Sequence, residues 1–185
     1  VTGDAERRVN PERVRNLFLG LNDGLVEILG AVSGFFAAFG RSGAVLAAGF
    51  TVAVAGALSM GAGAYIASGS EAEVQSTEDE RRRFLGDAVK EAAPESPLVS
   101  ALVVGLGYFA GALVPVLPVL FGASGILPTV IAAGATIVVV SAIVAFISGM
   151  DVRRRILLNL AITGIAVAVT YAIGLLAKSA LGVAI

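Results

Sequence analysis

The sequence contains no cysteine, no histidine and no tryptophan. Without cysteine there is no disulfide framework, thiolate metal site, haem attachment or cysteine nucleophile. Without histidine there is no imidazole ligand, no His-based general base and no Ser-His or Cys-His pair. Charge is scarce as well: 15% of the 185 residues are Asp, Glu, Lys or Arg, where a soluble domain carries roughly 25%. The net charge is −1 and no stretch forms a basic domain, which speaks against nucleic acid as a partner. What the chain has in excess is apolar side chain, 57% by count, with a mean hydropathy of +0.90. Long stretches carry no charge and short ones hold nearly all of it. That pattern is expected of a polytopic membrane protein.

Five segments are long enough to cross a hydrocarbon core, which takes about 20 apolar residues. They are Leu17–Phe39, Ala44–Ala67, Leu98–Phe121, Leu127–Gly149 and Ile156–Leu181. The first is not a cleavable signal, because it contains two carboxylates and runs on into further spans. The predicted fold class is therefore an all-α integral membrane protein with five transmembrane helices. Residues 1–16 form a tail, 17–67 hold the first two spans, 68–97 a connection and 98–185 the last three. Eleven of the thirteen basic residues fall on one side of this arrangement. They are Arg7, Arg8, Arg13 and Arg15, then Arg81, Arg82, Arg83 and Lys90, then Arg153, Arg154 and Arg155. Only Arg41 and Lys178 fall on the other. The bias puts the N-terminus in the cytosol and the C-terminus outside or in a lumen. The chain begins at Val1 without Met, compatible with trimming or with an unusual start.

The connection Ser68–Pro97 is the only sizeable cytosolic element. It is acidic, with Glu71, Glu73, Glu78, Asp79, Glu80, Asp87, Glu91 and Glu95 against four basic residues. From Ser70 to Leu85 it has neither Gly nor Pro, so the second span should continue as a helix past the membrane. Between Glu78 and Arg83 the plain reading is a solvated helix with acids pairing to the arginines that follow.

Charge inside the spans is more informative. An Asp at mid-bilayer costs roughly 2.5–3.5 kcal/mol on insertion scales, so such residues are rare and usually functional. Two exist here, Asp23 and Glu27, four residues apart in the first span and hence on one helix face. Counted from Leu17, they lie roughly 9 and 15 Å deep. No basic residue in any span matches that depth, so the pair is expected to hold protons or a cation. The second span offers a further donor, Met60, within about one turn of Asp23 in depth. Mg²⁺ and Ca²⁺ want all-oxygen shells. A thioether beside carboxylates suits a softer transition metal, held weakly enough to exchange. Taken alone, Met60 in an apolar helix is ordinary core filler.

Several segments together carry a resemblance. They are Asn22-Asp23-Gly24-Leu25-Val26, Ala57-Leu58-Ser59-Met60-Gly61 leading to Tyr65 and Ser70-Glu71-Ala72-Glu73, Gly111-Ala112-Leu113-Val114-Pro115-Val116-Leu117-Pro118, and Thr170-Tyr171-Ala172-Ile173-Gly174. In that order, across all five spans, the sequence resembles the vacuolar iron transporter family. The resemblance implies a five-span homodimer that moves Fe²⁺, often Mn²⁺ too, out of the cytosol in exchange for protons. The metal is then cargo, and no cofactor is permanently bound. It places the family's intramembrane aspartate on Asp23 and its methionine on Met60. A cytosolic entrance carboxylate falls on Glu12, and a second falls on Asn16, which is not acidic here. Glu27 rests on depth and spacing alone. Glu71 and Glu73 are placed to attract cations at the inner mouth. Full-length relatives build a three-helix, glutamate-rich bundle in the cytosolic connection, and some carry a ferritin-like domain ahead of the first span. About thirty residues cannot make that bundle.

Glycines in the first span (Gly20, Gly24, Gly30, Gly34) and the second (Gly49, Gly56, Gly61, Gly63) should mark close helix contacts. Five short helices enclose little by themselves, so a path along the first span is better sealed by a twofold mate. Pro115 and Pro118 should kink or break the third span, as a fixed bend or as a hinge. Two other functions fit the spans. One is a proton antiporter for small organic cations, which calls for aromatic residues that the chain has few of. The other is a non-transporting anchor for a cytosolic or ferritin-like partner, which gives no reason to keep Asp23 and Glu27. The host membrane would be the plasma membrane of a prokaryote or a vacuole-type membrane of a eukaryote. Nothing supports an enzyme: intramembrane proteolysis lacks both a His for a serine dyad and a second membrane Asp on another helix.

Overall fold

The computed structural model describes residues 11–86 and 96–182. Arg7, Arg8, Asp87, Lys90, Glu91 and Glu95, all used in the charge count above, lie outside the described residues. Every regular element among the described residues is helical: α1 (Pro11–Phe39), α2 (Ser42–Phe84), α3 (Pro97–Leu120), α4 (Ile126–Ile147) and α5 (Val152–Leu181). All five are long and apolar enough to cross a membrane. The runs read from the sequence fall on these helices one to one, with Phe121 lying just past the end of α3 and Ser148 and Gly149 past the end of α4.

The helix ends follow local chemistry. Pro11 and Pro97 open α1 and α3, where the missing N–H costs nothing. Asp151 caps α5 by accepting the Arg154 backbone N–H at 3.1 Å. Gly40 (φ 63°) and Gly149 (φ 64°) take the left-handed conformation that stops α1 and α4. α2, at 43 residues, is about 64 Å long. That is twice a hydrocarbon core of about 30 Å, and the surplus is the polar stretch from Ser70 to Phe84. On that stretch Arg82 Nη2 meets Glu78 Oε1 at 2.7 Å, one turn apart and exposed, as a solvated helix should show.

α1 is the hub, touching every other helix. Leu25, Ile28, Leu29 and Val32 are buried around it. Contacts between glycines and facing backbone give the directions. Gly20 and Gly24 of α1 meet Val104, Tyr108 and Ala112 of α3, and the numbers rise together, so α1 and α3 run parallel. Gly34 against Thr170 and Gly174 makes α5 parallel to α1 as well. Gly61 against Ala101, with Gly56 against Tyr108, makes α2 antiparallel to α3. The Asn159 amide donates to Ser141 Oγ at 2.8 Å, tying α5 to α4. At the opposite end Ser42 Oγ donates to the Ala123 carbonyl at 3.0 Å, joining the two loops there. One end of the bundle thus gathers Arg13, Arg15, Arg81–Arg83 and Arg153–Arg155; Arg41 and Lys178 belong to the other.

Of the eight glycines expected at contacts, seven have a neighbour where a Cβ would sit; Gly63 has none within 4 Å. The sequence reading passed over Gly105, Gly107, Gly111 and Gly174, which receive neighbouring backbone just as closely. α3 does not break at its prolines: the helix carries through Pro115 and Pro118 to Leu120.

Candidate metal site

Asp23 and Glu27 sit one turn apart on α1, about 6 Å along the axis, and each carboxylate lies in the field of the other. Both are exposed on the chain, although Gly24 and Leu25 between them, and Ile28 next to Glu27, are buried. They form the polar edge of an otherwise packed helix. Among the described residues no basic side chain pairs with either of them. The pairing that would neutralise two acids in a span is missing where it would be needed most.

A third oxygen comes from α3. Tyr108 is fully buried. Its ring lies where a Cβ on Gly56 would stand, so α2 needs glycine there to admit it. Its hydroxyl is placed beside the Glu27 carboxylate, with Asp23 also within electrostatic reach. It nonetheless makes no hydrogen bond of ordinary geometry. A buried hydroxyl near Glu27, without a hydrogen bond among the described residues, is a donor or ligand oxygen held ready. The sequence reading missed Tyr108. The available signal was a single phenol in a span whose only other polar side chain is Ser100.

Met60 is four residues beyond Gly56 on α2, half-buried, and packs on the cluster that contains Tyr108. Gly24 and Gly56 both touch Tyr108, which fixes the level. Met60 therefore lies about one turn, 6 Å, toward the basic end from that level. Tyr108 thus has Glu27 near its hydroxyl and Met60 packed on its cluster, about one turn toward the basic end. Among the described residues there is no group of three or more His, Cys, Asp and Glu able to hold a metal. Carboxylates alone do not complete a coordination shell among the described residues.

The entrance candidates are arranged by helix arithmetic. Glu12, in the first turn of α1, is eleven residues before Asp23; Glu71 is eleven residues after Met60. Eleven residues make three turns, so each acid shares a face with its inner partner about 16 Å away. Glu73, two residues on from Glu71, points elsewhere. Glu71 and Glu73 are both exposed, and Glu12 is half-buried. Pro115 is buried in α3 and Pro118 is half-buried. Both lie on the side of Tyr108 away from the basic end.

Comparison with known proteins places this geometry in context. The model of the VIT family matches residues 14–93 and 81–175. Vacuolar iron transporter homolog 1 of Oryza sativa subsp. japonica is 36% identical over 107 residues, 56% of this chain and 46% of the relative. Vacuolar iron transporter 2 of the same organism is 30% identical over 177 residues, 70% of each chain. Protein CCC1 of Saccharomyces cerevisiae is 25% identical over 162 residues, 61% of this chain and 50% of the relative. The chain spans about half the length of the first and third of these relatives.

Proposed function

The chain belongs to the VIT family, and from that premise we propose that it exports a divalent transition metal from the cytosol in exchange for protons. Relatives such as those from Oryza sativa subsp. japonica are named as vacuolar iron transporters, not as enzymes. The cargo is Fe²⁺, with Mn²⁺ as a second substrate of the same donor set. The observation that carries the reading is the unneutralised Asp23–Glu27 pair with Tyr108 near Glu27, and Met60 packed on the cluster that holds Tyr108. The basic end faces the cytosol by the positive-inside rule, so metal enters past Glu12, Glu71 and Glu73 and leaves at the end bearing Arg41 and Lys178. The site is exposed on a single protomer, and a twofold mate applied to that face of α1 would seal it from lipid and supply a second donor set. Residues 1–16, 17–67, 68–97 and 98–185 divide as tail, first helix pair, short acidic connection and last three helices. The family model matches in two pieces that overlap at residues 81–93, in keeping with a connection that lacks the glutamate-rich bundle. Pro115 and Pro118 are the proposed flexing point of α3. Host membranes are the plasma membrane in a prokaryote and a vacuole-type membrane in a eukaryote. Initial-rate uptake of Fe²⁺ or Mn²⁺ into proteoliposomes, with internal pH recorded, tests the whole reading. Uptake without any proton movement removes the exchange, and no uptake at all removes the transporter.

Two variants refine it. Metal ligands must shed their protons before they coordinate, so apparent metal affinity should fall as pH drops from about 7.5 to about 5.5. Glu27→Gln takes away one of two proton-binding groups and should roughly halve the slope of that dependence on a logarithmic plot. A wild-type pH profile would make Glu27 a structural acid. At the mouth, Glu12→Gln, Glu71→Gln and Glu73→Gln combined should raise the metal concentration for half-maximal uptake about three- to tenfold, leaving the maximal rate unchanged. Unchanged apparent affinity would leave these acids as ordinary solvated side chains.

A further inference from the structure

A cavity of about 750 Å³ opens between α1, α4 and α5 at the basic end, and no step of metal transport uses it. Arg15 of α1 and Arg155 of α5 both line it, and none of its lining residues is acidic. Among the described residues Arg155 Nε is buried without a hydrogen-bond partner, while Nη1 of the same half-exposed side chain reaches the Met150 sulfur at 3.6 Å. A charged donor withdrawn from water with no acceptor is costly, and an anionic oxygen in the cavity would relieve it. Asn22 and the hydrogen-bonded Asn159–Ser141 pair add neutral polar groups to the same wall.

Depth and lining together select the ligand. Arg15 stands two residues before the apolar run of α1, and Arg155 one residue before that of α5, so both lie at headgroup level. Deeper in, the wall turns apolar at Phe18, Leu19, Val140 and Val144. The volume exceeds that of a bare phosphate and leaves room for the start of acyl chains. We propose that this cavity binds the phosphate of an anionic phospholipid, with Arg15 and Arg155 on the phosphate and the acyl chains along α1 and α4. Basic pockets between transmembrane helices suit such headgroups. Neither Asp23 nor Glu27 lines the cavity; Asn22 does, and it points about 100° away from Asp23 around α1. Two guanidinium groups exclude a metal ion or an organic cation from the cavity.

The test uses purified full-length protein in mixed micelles of phosphatidylglycerol and phosphatidylcholine, with retained lipid counted by native mass spectrometry. Wild type should keep about one phosphatidylglycerol per chain and favour it about tenfold over phosphatidylcholine. The Arg15→Gln/Arg155→Gln double variant should lose that preference, while Arg153→Gln/Arg154→Gln, with the same loss of charge, should retain it. Arg155→Gln alone removes the buried unpartnered nitrogen, and should weaken retention even where the double variant does not fold. Equal retention of both lipids, or wild-type retention by Arg155→Gln, overturns the proposal. Displacement of the lipid by millimolar inorganic phosphate also overturns it, by making a soluble anion the ligand.

Discussion

Asp23→Asn should reduce metal transport at least about a hundredfold while leaving the protein expressed and monodisperse. Even removal of an outer-shell partner of a metal ligand costs roughly 10- to 100-fold in affinity, and Asn replaces a charged ligand with a neutral amide oxygen. The substitution is nearly isosteric, and Asp23 is exposed on the protomer, so no packing is lost. It also removes one of two repelling charges from α1, which argues against any loss of stability. Glu78→Gln is the matching control. That side chain pairs with Arg82 on the solvated part of α2, and its loss should leave transport at the wild-type rate. The comparison separates the competing functions. A non-transporting anchor shows no transport to lose. An antiporter of organic cations loses uptake of a lipophilic cation with Asp23→Asn but never moved Mn²⁺. Wild-type Mn²⁺ or Fe²⁺ uptake by Asp23→Asn would remove Asp23 from the pathway, and with it the main support for the site.

The spans were legible in the sequence because a bilayer imposes one length and one composition on every crossing. The continuation of α2 to Phe84 was legible for a local reason, the absence of Gly and Pro after Ser70. The acid pair was legible because two carboxylates among apolar residues stand out without any knowledge of neighbours. Tyr108 was not, because its importance comes from α1 and α2 together: Gly56 admits the ring and Glu27 lies near the hydroxyl. The outward exposure of Asp23 and Glu27 escaped the sequence for the same reason. Depth along a helix can be counted, but the direction a residue faces in a bundle depends on which neighbours fill the other sides. The α1–α3 contact shows how such choices are made. On α1 Gly20 and Gly24 stand out as contact positions, but their counterparts Gly107 and Gly111 on α3 have meaning only once the two helices are known to run parallel.

That contact leads to a large expected effect on stability, from Gly24→Ala and Gly111→Ala. Within a membrane, helices gain nothing from the hydrophobic effect on pairing, so close van der Waals packing between backbones carries the association. A methyl group on Gly24 would run into the Tyr108 carbonyl, and one on Gly111 into the Leu21 carbonyl. Both obstacles are main-chain atoms within helices, which cannot turn aside as a side chain could. The helices must therefore move apart, and the loss extends along the whole interface from Leu17 to Ala112. Alanine raises intrinsic helix propensity by about 1 kcal/mol over glycine, whereas overpacking of this kind costs about 1–3 kcal/mol and occasionally more. The net sign should be destabilising for each variant and more strongly so for the pair. Gly63→Ala isolates the propensity effect, because nothing lies within 4 Å of its position; its melting temperature in detergent should equal or exceed that of wild type. A Gly24→Ala protein that melts no lower than wild type would mean that α1 and α3 are not packed this closely. The same displacement carries Tyr108 away from Glu27, since the obstacle at Gly24 is the backbone of Tyr108 itself. Transport by any folded Gly24→Ala protein should therefore fall too, though neither glycine touches the metal.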